Sequence, residues 1–250
     1  MNIGIIPARY GSTRLPGKPL AMIKGKTMIQ RVYEQVLKCK SIDDLVVATD
    51  DVRIFSHVID FGGKATMTSD IHHSGTDRCY EAACKLNVTN NDDIIINIQG
   101  DEPYINPDQI SELIQCFRSG EADIATLVKK IKDTEEIFNT SKPKVVINNK
   151  KQALYFSRSP LPYLRDVATT LWVEQHAYFK HIGIYGFKFQ ALKKISSLPP
   201  SSLEIAEGLE QLRWLENGFV IQTEITQYES VSVDTLEDLE KLNNSSDDFL

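Results

Sequence analysis

The amino-acid sequence predicts an α/β protein with a mostly parallel central sheet, helices on both faces and a small antiparallel lobe. Three observations carry that reading. Short apolar runs alternate with amphipathic stretches as far as Pro107, the rhythm of strand, helix, strand that builds a parallel sheet covered on both sides. A basic, Gly/Pro-punctuated segment follows the first of these runs, where open α/β sheets place their ligand loops. Beyond Pro107 the alternation loosens, and strand-like runs appear around the Pro-rich passage Pro160-Leu161-Pro162.

Each element follows from local pattern. Asn2 to Pro7 reads as a buried strand and Ala8 to Pro19 as a loop. Met28, Ile29, Val32, Val36 and Leu37 recur at helical spacing, and Leu45 to Ala48 form a second short strand. Val52, Phe55, Val58 and Ile59 mark one face of a second helix that ends at Gly62-Gly63. A third strand is expected over Lys64 to Thr68, a helix over Thr76 to Leu86 and a fourth strand over Ile94 to Ile98. Asp108 to Phe117 reads as helical and Ile124 to Val128 as extended. Strands over Val145 to Ile147, Ala153 to Phe156 and His181 to Gly186 are expected to form the antiparallel lobe or a dimerisation arm. Leu203 to Asn217 and Thr235 to Asn243 are amphipathic helices, and 244–250 is expected to be a mobile tail.

Composition narrows the function. The chain has 250 residues, a net charge of −6 and 42% hydrophobic residues, enough to fill the core of one domain spanning 1–250. An acidic chain argues against a nucleic-acid partner. No apolar run approaches the length of a membrane span. Strand-like sequence from Asn2 leaves no room for a signal peptide, so a soluble cytoplasmic protein is expected. Cys39, Cys79, Cys84 and Cys116 lack the spacing of a zinc site and read as reduced, core-facing thiols. His72 and His73 are adjacent, and their successive side chains diverge in most backbones, which favours a loop role over a metal site.

Charge is distributed unevenly. The first 33 residues carry Arg9, Arg14, Lys18, Lys24, Lys26 and Arg31 and no acid, while the other 217 residues sit at −12. Such a reversal suits an anionic small molecule. Gly11 and Gly17 are separated by five residues and Lys18 precedes Pro19, while Gly25-Lys26-Thr27 lacks its partner glycine because position 20 is Leu. These features exclude the P-loop, and no GxGxxG occurs. What remains is a loop whose backbone amides can approach oxygen anions and whose Arg9, Arg14 and Lys18 can neutralise a polyphosphate. The competing reading is three solvated surface cations. Asp101, after Asn97-Ile98-Gln99-Gly100, and Asp234, after Val231-Ser232-Val233, each follow a strand-like run. Carboxylates so placed can hold Mg²⁺, or serve as turn formers or helix caps, Asp234 in particular as an N-cap.

Ile5-Ile6-Pro7-Ala8-Arg9-Tyr10-Gly11-Ser12-Thr13-Arg14-Leu15-Pro16-Gly17-Lys18-Pro19-Leu20 resembles the amino-terminal signature of the sugar-acid cytidylyltransferases, especially the branch acting on 3-deoxy-manno-octulosonate (KDO). Further blocks match in order: Val47-Ala48-Thr49-Asp50, His73-Ser74-Gly75-Thr76-Asp77-Arg78, Asn97-Ile98-Gln99-Gly100-Asp101-Glu102-Pro103 and Ala153-Leu154-Tyr155-Phe156-Ser157-Arg158. They continue with His181-Ile182-Gly183-Ile184-Tyr185-Gly186, Leu209-Glu210-Gln211-Leu212-Arg213 and Val233-Asp234-Thr235. Asp77 stands where the family often has Glu, and Arg165 to Lys180 match poorly.

The resemblance implies a Rossmann-like nucleotidyltransferase fold, a homodimer, and transfer of CMP from CTP to KDO for lipopolysaccharide biosynthesis. It implies a nucleotide-binding half over about 1–130 and a sugar-binding and dimerisation part over about 131–243. By the same resemblance Arg14 and Lys18 grip the triphosphate and, with Asp101, belong to the catalytic set. Ala8, Arg9, Ser74 and Arg78 meet the nucleotide, and Asp101 and Asp234 are the Mg²⁺ ligands. For the sugar acid, Arg158 supplies a positive charge, and Gln99, His181, Tyr185 and Glu210 supply directional hydrogen bonds. Without the resemblance, His181 reads as a strand residue with a satisfied ring and Glu210 as part of a solvated helix face. A cytidylyltransferase for another sugar acid, of sialic-acid type, and a non-catalytic nucleotide-sensing module are the competing functions.

Overall fold

The computed structural model describes residues 1–11, 15–72, 74–118, 122–229 and 231–245. In chain order its elements begin with β1 (Asn2–Ala8), a 3₁₀ turn at Lys18–Leu20, β2 (Met22–Ile23), β3 (Lys26–Thr27), α1 (Met28–Val36), β4 (Asp44–Thr49), α2 (Val52–Asp60) and β5 (Ala65–Met67). They continue with α3 (Gly75–Lys85), β6 (Ile94–Asn97), α4 (Pro107–Gln115), β7 (Ile124–Lys130), α5 (Thr134–Phe138), β8 (Lys144–Ile147) and β9 (Ala153–Ser157). After a second 3₁₀ turn come α6 (Trp172–Gln175), β10 (Phe179–Lys188), α7 (Phe189–Ile195), α8 (Ser202–Glu207), α9 (Gln211–Glu216), β11 (Ile221–Ile225) and α10 (Leu236–Asn244). These residues gather into two compact units.

The first unit comprises Met1–Ser111, Gly186–Ser196 and Ser230–Leu250. Its sheet runs β6-β1-β4-β5. β1 pairs in parallel with both β4 and β6, so it is flanked on both edges. Ile3, Ile5 and Ile6 are accordingly buried on both faces, the reason the segment reads as a continuous apolar run. α1 starts at Thr27, whose hydroxyl accepts from Gln30 N, and buries Met28, Ile29, Val32 and Val36. The face of α2 differs from the sequence expectation: Ile54 and Val58 are buried, whereas Val52 and Ile59 are exposed. Asp51 caps this helix and begins it at Val52, so the core-facing stripe passes through position 54. β2 and β3 form a separate antiparallel pair.

The second unit comprises Glu112–Tyr185 and Ser197–Glu229. β7 lies between β11 and β10, with β11 parallel to it. β8 pairs antiparallel with both β9 and β10, the antiparallel lobe the sequence predicts. Strand β11 has no counterpart in the sequence reading, although Ile221, Thr223 and Ile225 alternate with Gln222 and Glu224 at strand period. The expected single helix over Leu203 to Asn217 is instead two, α8 and α9. Gly208, at φ 63°, takes the left-handed conformation that terminates α8.

Two smaller expectations are corrected. Cys84 is exposed, while Cys39, Cys79 and Cys116 are buried. The N-cap of α10 is Thr235, not Asp234; Thr235 Oγ1 accepts from Asp238 N, and the Asp238 carboxylate accepts in return from Thr235 N. No helix among the described residues is long and apolar enough to cross a membrane.

Candidate functional site

A cleft in the first unit opens beyond the carboxyl ends of β1 and β6, where parallel sheets present their ligands. Ala8 ends β1, and Arg9, which follows it, is exposed. Both line the cleft, as do Lys18 and Ser74. Gln99, Asp101 and Asp234 complete the set of sequence-predicted residues on its wall together with Arg78. Arg14 lies outside the described residues. Gln99, assigned to the sugar by resemblance, therefore shares a wall with the residues assigned to the nucleotide.

Lys18 is the centre of charge. Its ammonium donates to Asp101 Oδ2 at 2.7 Å and to Asp234 Oδ1 at 2.9 Å. The side chain is 14% exposed against 27% and 35% for the two carboxylates, so the trio sits at a half-open surface. Three local features bring it together. Gly17, at φ 70°, takes a left-handed turn directly before Lys18. Val233 N donates to Asp101 O at 2.9 Å, which stitches the segment carrying Asp234 to the one carrying Asp101. Val233 itself packs with Ile23, Met28 and Leu242 in a buried cluster.

Other members of the wall have committed partners. Arg78 is 4% exposed. Its Nη1 donates to Thr68 Oγ1 at 2.6 Å and its Nη2 to Asp50 Oδ2 at 3.0 Å. Two of its five N–H groups are thus engaged by protein oxygens, which stiffens the wall. Ser74 caps α3, its Oγ accepting from Asp77 N at 3.1 Å, which leaves its own proton to donate. His72, also on the wall, pairs with Glu81. Burial acts to raise the Glu81 carboxyl, but hydrogen bonds from Lys85, Ser69 N and His72 outweigh it and hold it down at about 2. Asp50 closes the Val47-Ala48-Thr49-Asp50 block without a role assigned to it there, and Thr68 and Glu81 lie in no motif; their roles come from the partners the fold gives them.

The remaining predicted residues lie in the second unit. Arg158 donates from Nε to Glu207 O at 2.7 Å, from Nη1 to Thr140 O at 3.0 Å and from Nη2 to Gly208 O at 3.2 Å. Glu207, unmarked in the sequence, also accepts from Ser157 Oγ and Arg158 N. His181 Nε2 lies 3.0 Å from Thr126 Oγ1. The single Thr126 hydroxyl proton is directed at the carbonyls of Ile182 and Ile184, so His181 is the donor of that pair. Burial drives the His181 imidazole down to about 3. Its ring meets Phe156 edge-on at 5.3 Å and lies 5.1 Å from that of Tyr185. The Tyr185 phenol is raised well above its usual value by burial and, secondly, by the negative charge of Glu210. His181, Tyr185 and Glu210 are thereby brought into one neighbourhood.

Among the described residues no group of three His, Cys, Asp or Glu side chains is gathered for a metal. Asp101 and Asp234 nevertheless converge on one positive point, the Lys18 ammonium. Two hard carboxylates at such a point fit Mg²⁺, which keeps water and substrate oxygens in the rest of its octahedral shell.

Known proteins share this arrangement of chain. The family model described as Cytidylyltransferase matches residues 3–231. A protein of Parabacteroides distasonis named 3-deoxy-manno-octulosonate cytidylyltransferase is 54% identical over 96% of this chain and 95% of its own. One of Cytophaga hutchinsonii with the same name is 51% identical over 98% and 97%. A solved structure of CMP:2-keto-3-deoxy-manno-octonic acid synthetase complexed with CTP superimposes with a TM-score of 0.89 at 45% identity, covering 97% of this chain and 96% of that one.

Proposed function

Because the chain belongs to the cytidylyltransferase family and is a nucleotidyltransferase, we propose that it transfers CMP from CTP to the anomeric hydroxyl of KDO. The supporting observation is the Lys18 ammonium held between Asp101 and Asp234 at the strand ends of the first unit. The sugar's anomeric oxygen bonds to the α-phosphorus of CTP as the bond from that phosphorus to the bridging oxygen breaks. Pyrophosphate departs, and the hydroxyl proton is released.

The protein's part is positioning and charge. Arg9, Arg14 and Lys18 neutralise the β- and γ-phosphates. Ala8 backbone and the Ser74 hydroxyl meet the cytosine edge, where a free donor suits the base's O2 acceptor. Arg78, braced by Asp50 and Thr68, lines the same wall and meets the nucleotide with the N–H groups that those two contacts leave over. Asp101 and Asp234 would hold Mg²⁺, which when bound supplies positive charge to the triphosphate and the leaving group. With these carboxylates engaged by the metal, the Lys18 ammonium would be available to the phosphates. Gln99 on the cleft wall of the first unit and, in the second unit, Arg158, His181, Tyr185 and Glu210 are the residues that the family resemblance assigns to the sugar acid. The product would serve lipopolysaccharide biosynthesis in the cytoplasm, with the enzyme acting as a homodimer.

Pyrophosphate release tests the reading. Turnover is expected with CTP, Mg²⁺ and KDO, and not when the metal is chelated. Activity with sialic-type acids but not with KDO would assign the chain to the other sugar-acid branch, and no turnover with any acid would leave a nucleotide-sensing module.

A further inference from the structure

We propose that Tyr10, Arg53 and Asp51 form a latch that positions Arg9 and Lys18 for the triphosphate. Arg53 and Asp51 are absent from the cleft wall, yet both are tied to it through Tyr10. The Arg53 guanidinium carbon lies 3.4 Å from the centroid of the Tyr10 ring. The same guanidinium is gripped by Asp51 on two oxygens, Nε to Oδ1 at 2.9 Å and Nη2 to Oδ2 at 2.6 Å. This bidentate pairing fixes the plane of the fork, so the ring meets a flat, oriented cation instead of a mobile one. Hydrogen bonds from Arg53 hold the Asp51 carboxyl below its usual range.

The latch is anchored at one end and acts at the other. Asp51 caps α2 by accepting from Arg53 N at 2.9 Å, and its own N donates to Thr49 Oγ1, at the end of β4. α2 in turn is held down by buried Ile54 and Val58. At the far end Tyr10 O accepts from Gly17 N at 3.0 Å. The Tyr10 ring lies so close over Gly17 that a Cβ there would stand 3.1 Å from its Cζ and Oη. Arg9 precedes Tyr10 and Lys18 follows Gly17, so fixing the Tyr10-to-Gly17 contact fixes the backbone from which both cations project. Arg53 is 56% exposed in its side chain, and among the described residues its charged and ring contacts are with Asp51 and Tyr10, not with Arg9 or Lys18. It is a positioning residue.

The inference rests on the proposed role of Arg9 and Lys18 with CTP, and titration calorimetry with CTP and CMP separates the two. Wild-type protein is expected to bind CTP more tightly than CMP. Arg53→Ala and Tyr10→Ala should each weaken CTP by about tenfold and CMP by less than about twofold, with the melting temperature of Arg53→Ala unchanged. Tyr10→Phe, which keeps the ring, should retain CTP affinity. Arg53→Lys should not, because an ammonium lacks the planar fork. Unaltered CTP affinity in Arg53→Ala, or equal losses for CTP and CMP, would overturn the latch. Full affinity in Arg53→Lys with a neutral Tyr10→Ala would also overturn it, because Arg53 would then act as a direct charge. A wild-type protein with no preference for CTP would defeat the functional reading and the latch together.

Discussion

In the first unit, Lys18, Asp101 and Asp234 hold one another by charge at the half-open wall of a cleft. In the second, Arg158 and His181 are held by oxygens of their own surroundings, Arg158 by three backbone carbonyls and His181 by the Thr126 hydroxyl. The contrast separates two ways of keeping polar groups ready. A charge trio can exchange partners when an anion or cation arrives, since each member trades one ionic contact for another. Groups bonded to backbone stay where the fold puts them and offer a fixed surface. The first arrangement suits a triphosphate with its metal, the second a sugar acid, whose carboxylate and many hydroxyls need a fixed charge and directional contacts.

Removing the centre of the trio is the largest perturbation. Lys18→Ala should lower kcat by roughly a thousandfold, the scale of losing one preorganised charge at a reacting phosphoryl. It also leaves Asp101 and Asp234 facing each other without their cation, so the variant should melt lower than wild type without Mg²⁺ and recover when Mg²⁺ is added. Lost turnover that persists at saturating Mg²⁺ identifies a catalytic charge. Full recovery of turnover would instead reduce Lys18 to a stand-in for the metal. Thermal melts and pyrophosphate release on the same samples distinguish these outcomes.

The two units were not equally legible from sequence. β1, β4 and β6 announce themselves as apolar runs because strands buried on both faces leave no room for polar residues. The cations of the loop and the Asp after each strand-like run were visible for similar reasons. Their mutual pairing was not, because Lys18 and Asp234 are 216 positions apart and only the fold makes them neighbours. Arg78 illustrates the limit: the sequence shows a cation in a motif, while its burial and its bracing by Asp50 and Thr68 come only from the fold. In the second unit the Leu203 to Asn217 stripe looked continuous because apolar spacing survives across Gly208, although the backbone there turns left-handed. Glu207, which orders Ser157 and Arg158, sits next to that break and carries no signal of its own.

If the second unit is truly fixed, its weak point is acid. Unfolded His181 takes a proton near pH 6.5, whereas the folded ring does so only at about 3. Between those values the unfolded chain binds more protons, so stability falls as the pH is lowered through that window, by on the order of a few kcal/mol in all. Carboxylates such as Glu81, held down at about 2 from 4.5, lose their own contribution lower in the range. The upper part of the interval, from 6.5 down to about 5.5, precedes most carboxylate protonation and is therefore where the histidine contributes most. His181→Gln, which keeps a donor for Thr126, should flatten denaturant-measured stability across that interval. An unchanged slope would show that the imidazole titrates normally and that the second unit is looser than its hydrogen bonds suggest.

The smallest test concerns how tightly the first unit's carboxylates must be placed. The Asp238 carboxylate accepts from Thr235 N at 2.9 Å and from Asp234 N at 3.1 Å, and Thr235 Oγ1 donates to it at 2.8 Å. Thr235→Ala removes the hydroxyl that caps α10 and steadies that carboxylate, at a cost of about 1 kcal/mol. The side chain of Asp234, which faces Lys18, is left in place, but its backbone has more freedom. If charge pairing governs the trio, Lys18 and the metal will pull Asp234 back into position. The variant should then need about twofold to threefold more Mg²⁺ for half-maximal turnover, the equivalent of a few tenths of a kcal/mol, with kcat at saturating metal unchanged. A fall in saturated kcat would mean that Asp234 must be held by its backbone as firmly as Arg158 is, and the distinction between the two units would not survive.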